Sequence, residues 1–443
     1  MLYGLAPPLG LLYIGSMLES KGYQVTMVDF SAEPYSLDRL KEVVRGIDVI
    51  GISVLTPSLE WVKVIIQKCR DIVPSIPIII GGPHCTLFPE KSLSELGADI
   101  CIPGDGEETF IHVLDCISRK KKLKDVPGVF SQDNSGSIFK GPAIKVIKNI
   151  DSFEIPARHL AEQYIYGRWF NPRIRKGEFT SIVFSRGCPY RCRFCSRGAI
   201  GYHQFRRRTV DNILFELEEL AFQGFQYISV NDDCFPTVKQ EAMDLFTGII
   251  ERNLDFRFYL NASRVNLIDQ ELLDIMQRAG VVHIQFGLES GSQEILDFYQ
   301  KETTIEQIRD VVKRCHKMGF FTAGSFILGA PIETKKHLLE TIRFAENLPL
   351  DSVSYLPLRY MAGSSLWEWA VGTGKILDSD YLVVADNNRG LGNFSKVELV
   401  TLCTNAQLRY YIRPKYFMSL LQTIVRQNKP EILISFAKIL GSS

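Results

Sequence analysis

Apolar runs and amphipathic stretches alternate in two separate parts of the chain. From Gly10 to about Ser118, helix-like stretches at 9–21, up to about 45, at 58–72 and from Glu107 to about Ser118 are interleaved with apolar runs. Those runs are YQVTMVDF (23–30), DVIGISV (48–54), IPIIIGG (76–82) and ADICIP (98–103). Continuous apolar strands separated by helices predict a parallel sheet covered on both faces, here a doubly wound, Rossmann-like domain over 1–125. Such a domain opens on a buried strand. This sequence starts at MLYGLAPPLG, in the loop that should follow one, so the expectation is a sheet without its first strand and with a central edge exposed.

Residues 126–179 read as a hairpin-bearing linker, with DNSGS (133–137) as its turn signal and scattered prolines. Lys120 to Lys122, just before it, read as a solvated surface. The second alternation begins at Thr180, with strands at 180–185, 226–232, 256–261, 282–290, 321–329 and 352–358. Helical patterns at 210–223, 238–252, 269–279, 305–317 and 334–346 separate them. Six successive strand–helix units over 180–375 make an incomplete version of the eightfold barrel, which places chemistry at the C-terminal ends of its strands. The fold class is therefore α/β. The tail, 376–443, reads as a helical extension with helices near 396–410 and 414–441. Its FMSLLQTIV segment is expected to pack on the barrel, the alternative being contact with a membrane surface.

Composition adds boundaries. With 51 basic and 50 acidic residues the formal net charge is +1, so no global field draws the chain to nucleic acid or anionic lipid. No apolar run reaches the roughly 18 to 20 residues that span a bilayer, and the N-terminus lacks a secretory layout. The expectation is a cytoplasmic protein. Of the ten cysteines, seven (69, 85, 101, 116, 234, 315 and 403) are dispersed and read as small core residues.

The other three stand together in SRGCPYRCRFCSRG (185–198), right after the first barrel strand, as Cys-x3-Cys-x2-Cys. Three thiolates on one tight loop can hold three irons of a cubane cluster and leave the fourth open to bind substrate. The competing reading is zinc, which needs a fourth closed ligand such as His203. The loop CPYRCRFCS, placed after the first strand of a six-unit barrel, resembles the signature of the radical S-adenosylmethionine (SAM) superfamily. That resemblance implies a 4Fe-4S cluster on Cys188, Cys192 and Cys195, with SAM chelated at the open iron and reductively cleaved to a 5′-deoxyadenosyl radical.

Further positions extend the resemblance. It implies SAM-binding roles for Phe194, before the third cysteine, and for Arg264 in ASRVN after the third strand. Asp232 in NDDCF would lie near the SAM amino group or the substrate, or else cap the following helix. Gly287 and Glu289 in FGLESG match a G-x-E-S segment near the SAM ribose or the substrate. Gly329 in FILGAPIET would let adenine approach the backbone, while Glu333 begins the next helix.

The segments APPLGLLYIGSMLESKGYQVTMVD, VIGISVLTPS, IIIGGPHCTLFPE and IPGDGEETF together resemble the cobalamin-binding domain fused to one large radical SAM subfamily. The resemblance implies a corrin across the strand edge near Ser53, Thr56, Gly81, Gly82 and Gly104. None of the seven histidines has the Asp-x-His-x-x-Gly setting that places histidine on cobalt, and His84 reads as a hydrogen-bonded loop residue. A base-off cofactor without a histidine ligand is expected.

The implied activity is that of a class B methylase, in which the radical takes hydrogen from an unactivated carbon and cobalamin delivers a methyl group from a second SAM. The alternative is cyclisation, rearrangement or hydroxylation with the same parts, as in the anaerobic magnesium-protoporphyrin cyclase group. A transfer-RNA methylthiotransferase would need a second cluster and a basic tail, and a non-enzymatic cobalamin sensor would leave the cysteines idle. Aromatic residues near the strand ends (Phe235, Tyr355, Tyr360, Trp367) suggest a small or lipid-like substrate, with a flavodoxin or ferredoxin as electron donor.

Overall fold

The computed structural model describes residues 6–119, 121–133, 135–144, 146–414 and 416. The chain divides into two compact units, Met1–Ile165 with Ala199–Tyr202, and Tyr166–Gly198 with His203–Ser443.

In the first unit a five-stranded sheet runs in chain order through Ile50–Ser53, Ile78–Gly81, Ile100–Ile102, Phe130–Gln132 and Ile138–Lys140. The first three strands pair in parallel, Ile50 with Ile78 and Ile79 with Ile100. Ile78 to Ile80 are at most 1% exposed, because helices cover both faces and both alternating sets of side chains must be apolar. Those helices are Leu9–Glu19, Leu37–Val44, Leu59–Ile72, Pro89–Leu96 and Glu107–Ser118. The hairpin expected in the linker is present and continues this sheet, Phe130 pairing antiparallel with Cys101.

One expected strand is not found. Tyr23–Phe30 carries no strand, since a strand exists only through a hydrogen-bonded neighbour, and none among the described residues lies beside it. Its backbone is held by side chains instead. The Tyr164 hydroxyl accepts from Asp29 N at 3.1 Å, and Gln163 Nε2 donates to Met27 O at 3.3 Å. Ile50–Ser53 accordingly forms an edge of the sheet.

The second unit holds six parallel strands in sequential order, Phe179–Ile182, Tyr227–Val230, Arg257–Ser263, Val281–Glu289, Phe321–Leu328 and Ser352–Pro357. The helices between them start and stop where their sequences provide caps. Thr304 and Gln307 close a reciprocal capping box at the head of Ile305–Met318, and Gly319, in the left-handed conformation at φ 88°, ends it. Phe246, Phe258, Phe286 and Phe326 are fully buried in the core between the strands and these helices.

The fourth strand carries an irregularity against the fifth. Gly287 pairs with Ser325 and Glu289 with Phe326, so Leu288 is an extra residue. The helix Lys396–Tyr411 packs on the sixth strand, where the Tyr411 hydroxyl meets Val353 N and O at 3.0 Å each and the Tyr410 hydroxyl donates to Leu350 O at 2.7 Å. The tail segment FMSLLQTIV lies outside the described residues, as does most of the second tail helix. Among the described residues no helix is long and apolar enough to cross a membrane.

Candidate active site

The cysteine loop leaves the end of the first barrel strand and is fixed from two sides. On one side is the end of the second strand. Asp233 accepts from Gly187 N at 3.2 Å and pairs with Arg197 at 3.1 Å, and so grips the loop before Cys188 and after Cys195. Gly187 has φ 86°, and a Cβ there would collide with the carbonyl oxygen of Gln204.

On the other side lies the segment after the fourth strand's short helix, Gln293–Phe298. Three successive backbone carbonyls of this segment face the loop or its support. Tyr299 O accepts from Arg193 N at 3.0 Å, Gln300 O lies 3.8 Å from Cys192 Sγ, and Lys301 O accepts from Arg264 Nη2. Gln300 and Glu302 adopt left-handed φ values of 54°, conformations that cost energy for non-glycine residues and persist where the surroundings over-determine them. Phe194 packs edge-on against Tyr299 with centroids 5.0 Å apart, and Arg193 lies 4.3 Å over the Phe298 ring. An open hollow of about 570 Å³ borders the loop, lined by Pro189, Tyr190, Arg191, Asp297, Gln300 and Glu302.

The donor set suits a cluster. A hydrogen bond from Cys234 outweighs burial and brings the Cys188 thiol down to about 7, with Arg264 adding a favourable charge. Burial pushes Cys195 up to about 11. Among the described residues no three His, Cys, Asp or Glu side chains converge on one point as a single ion would need. Three thiols carried on one loop are the donor set of a cluster held at three corners, each thiolate with its own iron.

Arg264, 5% exposed, touches the loop directly. Nη1 donates to Cys192 Sγ at 3.5 Å, and the guanidinium stacks 3.6 Å from the Tyr190 ring centroid. Asp232 is turned the other way. Its two oxygens accept from Phe184 N at 2.7 Å and from the Ser185 hydroxyl at 2.5 Å, and burial pushes it up to about 7. It therefore ties the second strand to the end of the first, and of the two acids Asp233 is the one that reaches the cysteine loop.

Glu289, with φ 63°, ends the fourth strand. It forms a buried ion pair with Lys301 Nζ at 2.7 Å, the two side chains 8% and 7% exposed. Gly287 makes room for this pair, since a Cβ there would lie 2.5 Å from Glu289 Oε1 and 3.0 Å from Lys301 Nζ. At Gly329, φ 107°, the position a side chain would take is filled by Leu399, 2.6 Å away, so this face of the glycine accommodates protein. Glu333 accepts from Gly329 N at 2.5 Å and Ala330 N at 2.9 Å, while its other oxygen is buried without a partner, and burial pushes the acid up to about 7.

Two residues that sequence reasoning passed over belong here. Cys234 had the appearance of a core cysteine, and at 3% exposure it is one, yet its thiol contacts Cys188. The available signal was its place beside Asp233 at a strand end. Lys301, twelve residues beyond Glu289, offered none.

In the first unit Ser53 and Gly81 pair at the ends of adjacent strands, with Gly82 beside them. Gly82, φ 95°, approaches Ser53 Oγ and Val54 N so closely that a Cβ would lie 3.0 and 3.1 Å from them, and a Cβ at Gly81 would lie 3.1 Å from Ile102 O. Thr56 Oγ1 is 3.2 Å from Nδ1 of His84, which is fully buried and, by that burial, lowered to about 4. Gly104, φ 74°, donates its N–H to Thr86 at 2.9 Å, and Tyr202 and Ile144 both lie 2.8 Å from where its Cβ would be. The close approaches at these glycines are met by the chain's own atoms.

The Radical SAM superfamily profile matches residues 182–345 and the B12 binding domain profile residues 2–114. An uncharacterized methyltransferase of Pyrococcus horikoshii is 30% identical over 415 residues, covering 92% of this chain and 88% of that protein. The chain belongs to the cobalamin-binding radical SAM family. This radical SAM enzyme is also 26% identical over 360 residues to the anaerobic magnesium-protoporphyrin IX monomethyl ester cyclase of Rubrivivax gelatinosus, covering 79% of this chain and 63% of the cyclase. Among solved structures, the radical SAM methyltransferase TsrM of Kitasatospora setae, with cobalamin and a [4Fe-4S] cluster bound, superposes with a TM-score of 0.69 at 20% identity, over 83% of this chain and 73% of TsrM. At that identity the likeness is one of fold, a B12-binding domain followed by a radical SAM barrel.

Proposed function

We propose that this radical SAM enzyme holds a 4Fe-4S cluster on Cys188, Cys192 and Cys195 and, with cobalamin, methylates an unactivated carbon of a small or lipid-like substrate. The observation that carries the reading is the cysteine loop itself, with three thiols at the C-terminal edge of a six-stranded barrel, clasped by Asp233 on one side and Tyr299 to Lys301 on the other. Bound there, the cluster would supply the electron that cleaves SAM to a 5′-deoxyadenosyl radical, and cobalamin in the first unit would supply the methyl group.

The chain's own residues prepare that chemistry. Asp233 and Arg197 hold the loop in a fixed shape. The Glu289–Lys301 pair presents a carboxylate at the fourth strand's end, suited to a cationic or hydroxyl-bearing part of SAM or substrate once Lys301 yields. Gly329, Gly287 and Phe194 belong to the same edge as backbone and ring contacts for SAM. Ser53, Thr56, Gly81, Gly82 and Gly104 would form the corrin edge, and His84, whose Nδ1 is engaged with Thr56, would not serve as a ligand to a cobalamin held base-off. The enzyme would act in the cytoplasm and take electrons from a flavodoxin or ferredoxin.

Cyclisation, rearrangement or hydroxylation without methyl transfer is the second reading, supported by the relationship to the cyclase. Anaerobic reconstitution with iron, sulfide and cobalamin, then SAM, reductant and candidate substrates, separates the two. 5′-Deoxyadenosine together with S-adenosylhomocysteine is expected for methylation, and 5′-deoxyadenosine without S-adenosylhomocysteine for the alternative. Cys192→Ala should abolish 5′-deoxyadenosine, and its formation by that variant would refute the assignment.

A further inference from the structure

Arg264 is the one guanidinium placed directly on a cysteine of the loop among the described contacts, and its surroundings leave it little freedom. Nη1 donates to Cys192 Sγ at 3.5 Å, Nη2 donates to the Lys301 carbonyl, and the plane lies 3.6 Å from the Tyr190 ring centroid. The Tyr190 ring is fixed in turn by Asn266, whose Nδ2 donates to its hydroxyl at 3.2 Å. The side chain is 5% exposed and its Nε is buried without a partner. A guanidinium removed from water with one donor unmet is costly to maintain, and its contacts account for that cost through what they impose on Cys192. A second donor stands at the other end of the loop, where the Cys234 thiol hydrogen-bonds Cys188.

We propose that Arg264 is a positioning residue that sets the reduction potential of the cluster, by holding a charge-assisted N–H donor on the Cys192 sulfur. The inference rests on the cluster reading above. Reduction adds negative charge to the cluster and its sulfurs, so a cationic donor on one sulfur stabilises the reduced form more than the oxidised form and raises the potential. Lys301 serves the same end from behind, since its carbonyl fixes the second arm of the fork while its ammonium is neutralised by Glu289 at 2.7 Å. The Cys234 S–H is a weak, neutral donor and contributes in the same direction to a smaller degree.

The test uses the full chain, reconstituted anaerobically, with iron and sulfide counted first and the reduced-cluster electron paramagnetic resonance signal then titrated against potential without SAM. Leaving SAM out removes any effect of a contact between Arg264 and SAM. Arg264→Met is expected to disfavour reduction by about tenfold at a given potential, which for a one-electron couple is a midpoint about 59 mV more negative. Arg264→Lys keeps the charge but loses the two-armed planar donor and should move the midpoint a smaller distance the same way, and it carries the test if the methionine variant fails to fold. Cys234→Ala should shift it least. A loaded arginine variant that titrates with the wild type overturns the inference, as does a Cys234→Ala shift as large as that of Arg264→Met, which would mark a packing effect. Failure of the wild-type chain to take up iron and sulfide at all would instead overturn the cluster reading.

Discussion

Replacing Glu333 with glutamine should flatten the response of the second unit's stability to pH. The acid is fully buried, and one oxygen accepts from Gly329 N and Ala330 N while the other has no partner. Desolvation is the dominant influence and raises the group from 4.5 to about 7. A raised folded value means that the native state binds the proton more tightly than the unfolded chain. The associated stability is fully present below the unfolded value and is lost as pH rises through about 7. The shift is 7 − 4.5, about 2.5 units, worth about 3 kcal/mol at 1.36 kcal/mol per unit. Between pH 5 and 8 the share lost is roughly 2 to 3 kcal/mol.

Glutamine keeps the carbonyl oxygen for both backbone donors and carries no charge at any of these pH values. Urea unfolding of the two proteins, followed by circular dichroism at pH 5, 6, 7 and 8, should show the variant gaining on the wild type by that amount toward pH 8. The wild-type slope will not vanish in the variant, because burial raises Asp232 to about 7 as well. Parallel stability curves across the range would refute the argument.

Other outcomes follow from the same packing. Gly287→Ala places a methyl group 2.5 Å from Glu289 Oε1 and 3.0 Å from Lys301 Nζ; because both neighbours are side-chain ends, the melting temperature should change little while SAM cleavage, read as 5′-deoxyadenosine, falls at least tenfold. Gly187→Ala meets the backbone of Gln204 from a left-handed φ of 86°, so iron bound per chain after reconstitution should drop well below the wild-type value. Gly104→Ala, with Tyr202 and Ile144 both 2.8 Å from the new carbon, should reduce cobalamin retained through gel filtration, measured by its visible absorption.

Much of this arrangement was legible in sequence, for particular reasons. The six barrel strands could be read because each is a short apolar run between capped helices, and the local code suffices for both. The cysteine triad could be read because its meaning lies in spacing along one loop. Tyr23–Phe30 had the same apolar character as the strands, but strand formation depends on a neighbour that its own residues do not specify. The helix Pro89–Leu96 was passed over because it follows the strand Ile78–Gly81 through prolines and glycines that resemble plain loop. The roles of Lys301 and Cys234 were hidden because each depends on a contact across the barrel rather than on a local pattern. Asp232 and Asp233 show the same limit: adjacent and chemically alike, they differ only in which way each points.

The extra residue at Leu288 has a consequence for anyone who transplants this edge. In an uninterrupted strand, positions 287 and 289 would project to one side, and the carboxylate would be expected alongside the glycine. Opposing two residues to one against Ser325 and Phe326 keeps that side but leaves Glu289 at a left-handed φ of 63°, and the acid lies over the space the glycine leaves open and meets the ammonium from Lys301. A grafted barrel that copied Gly287 and Glu289 but regularised the pairing would keep every named side chain and lose the backbone turn at Glu289 that goes with the extra residue.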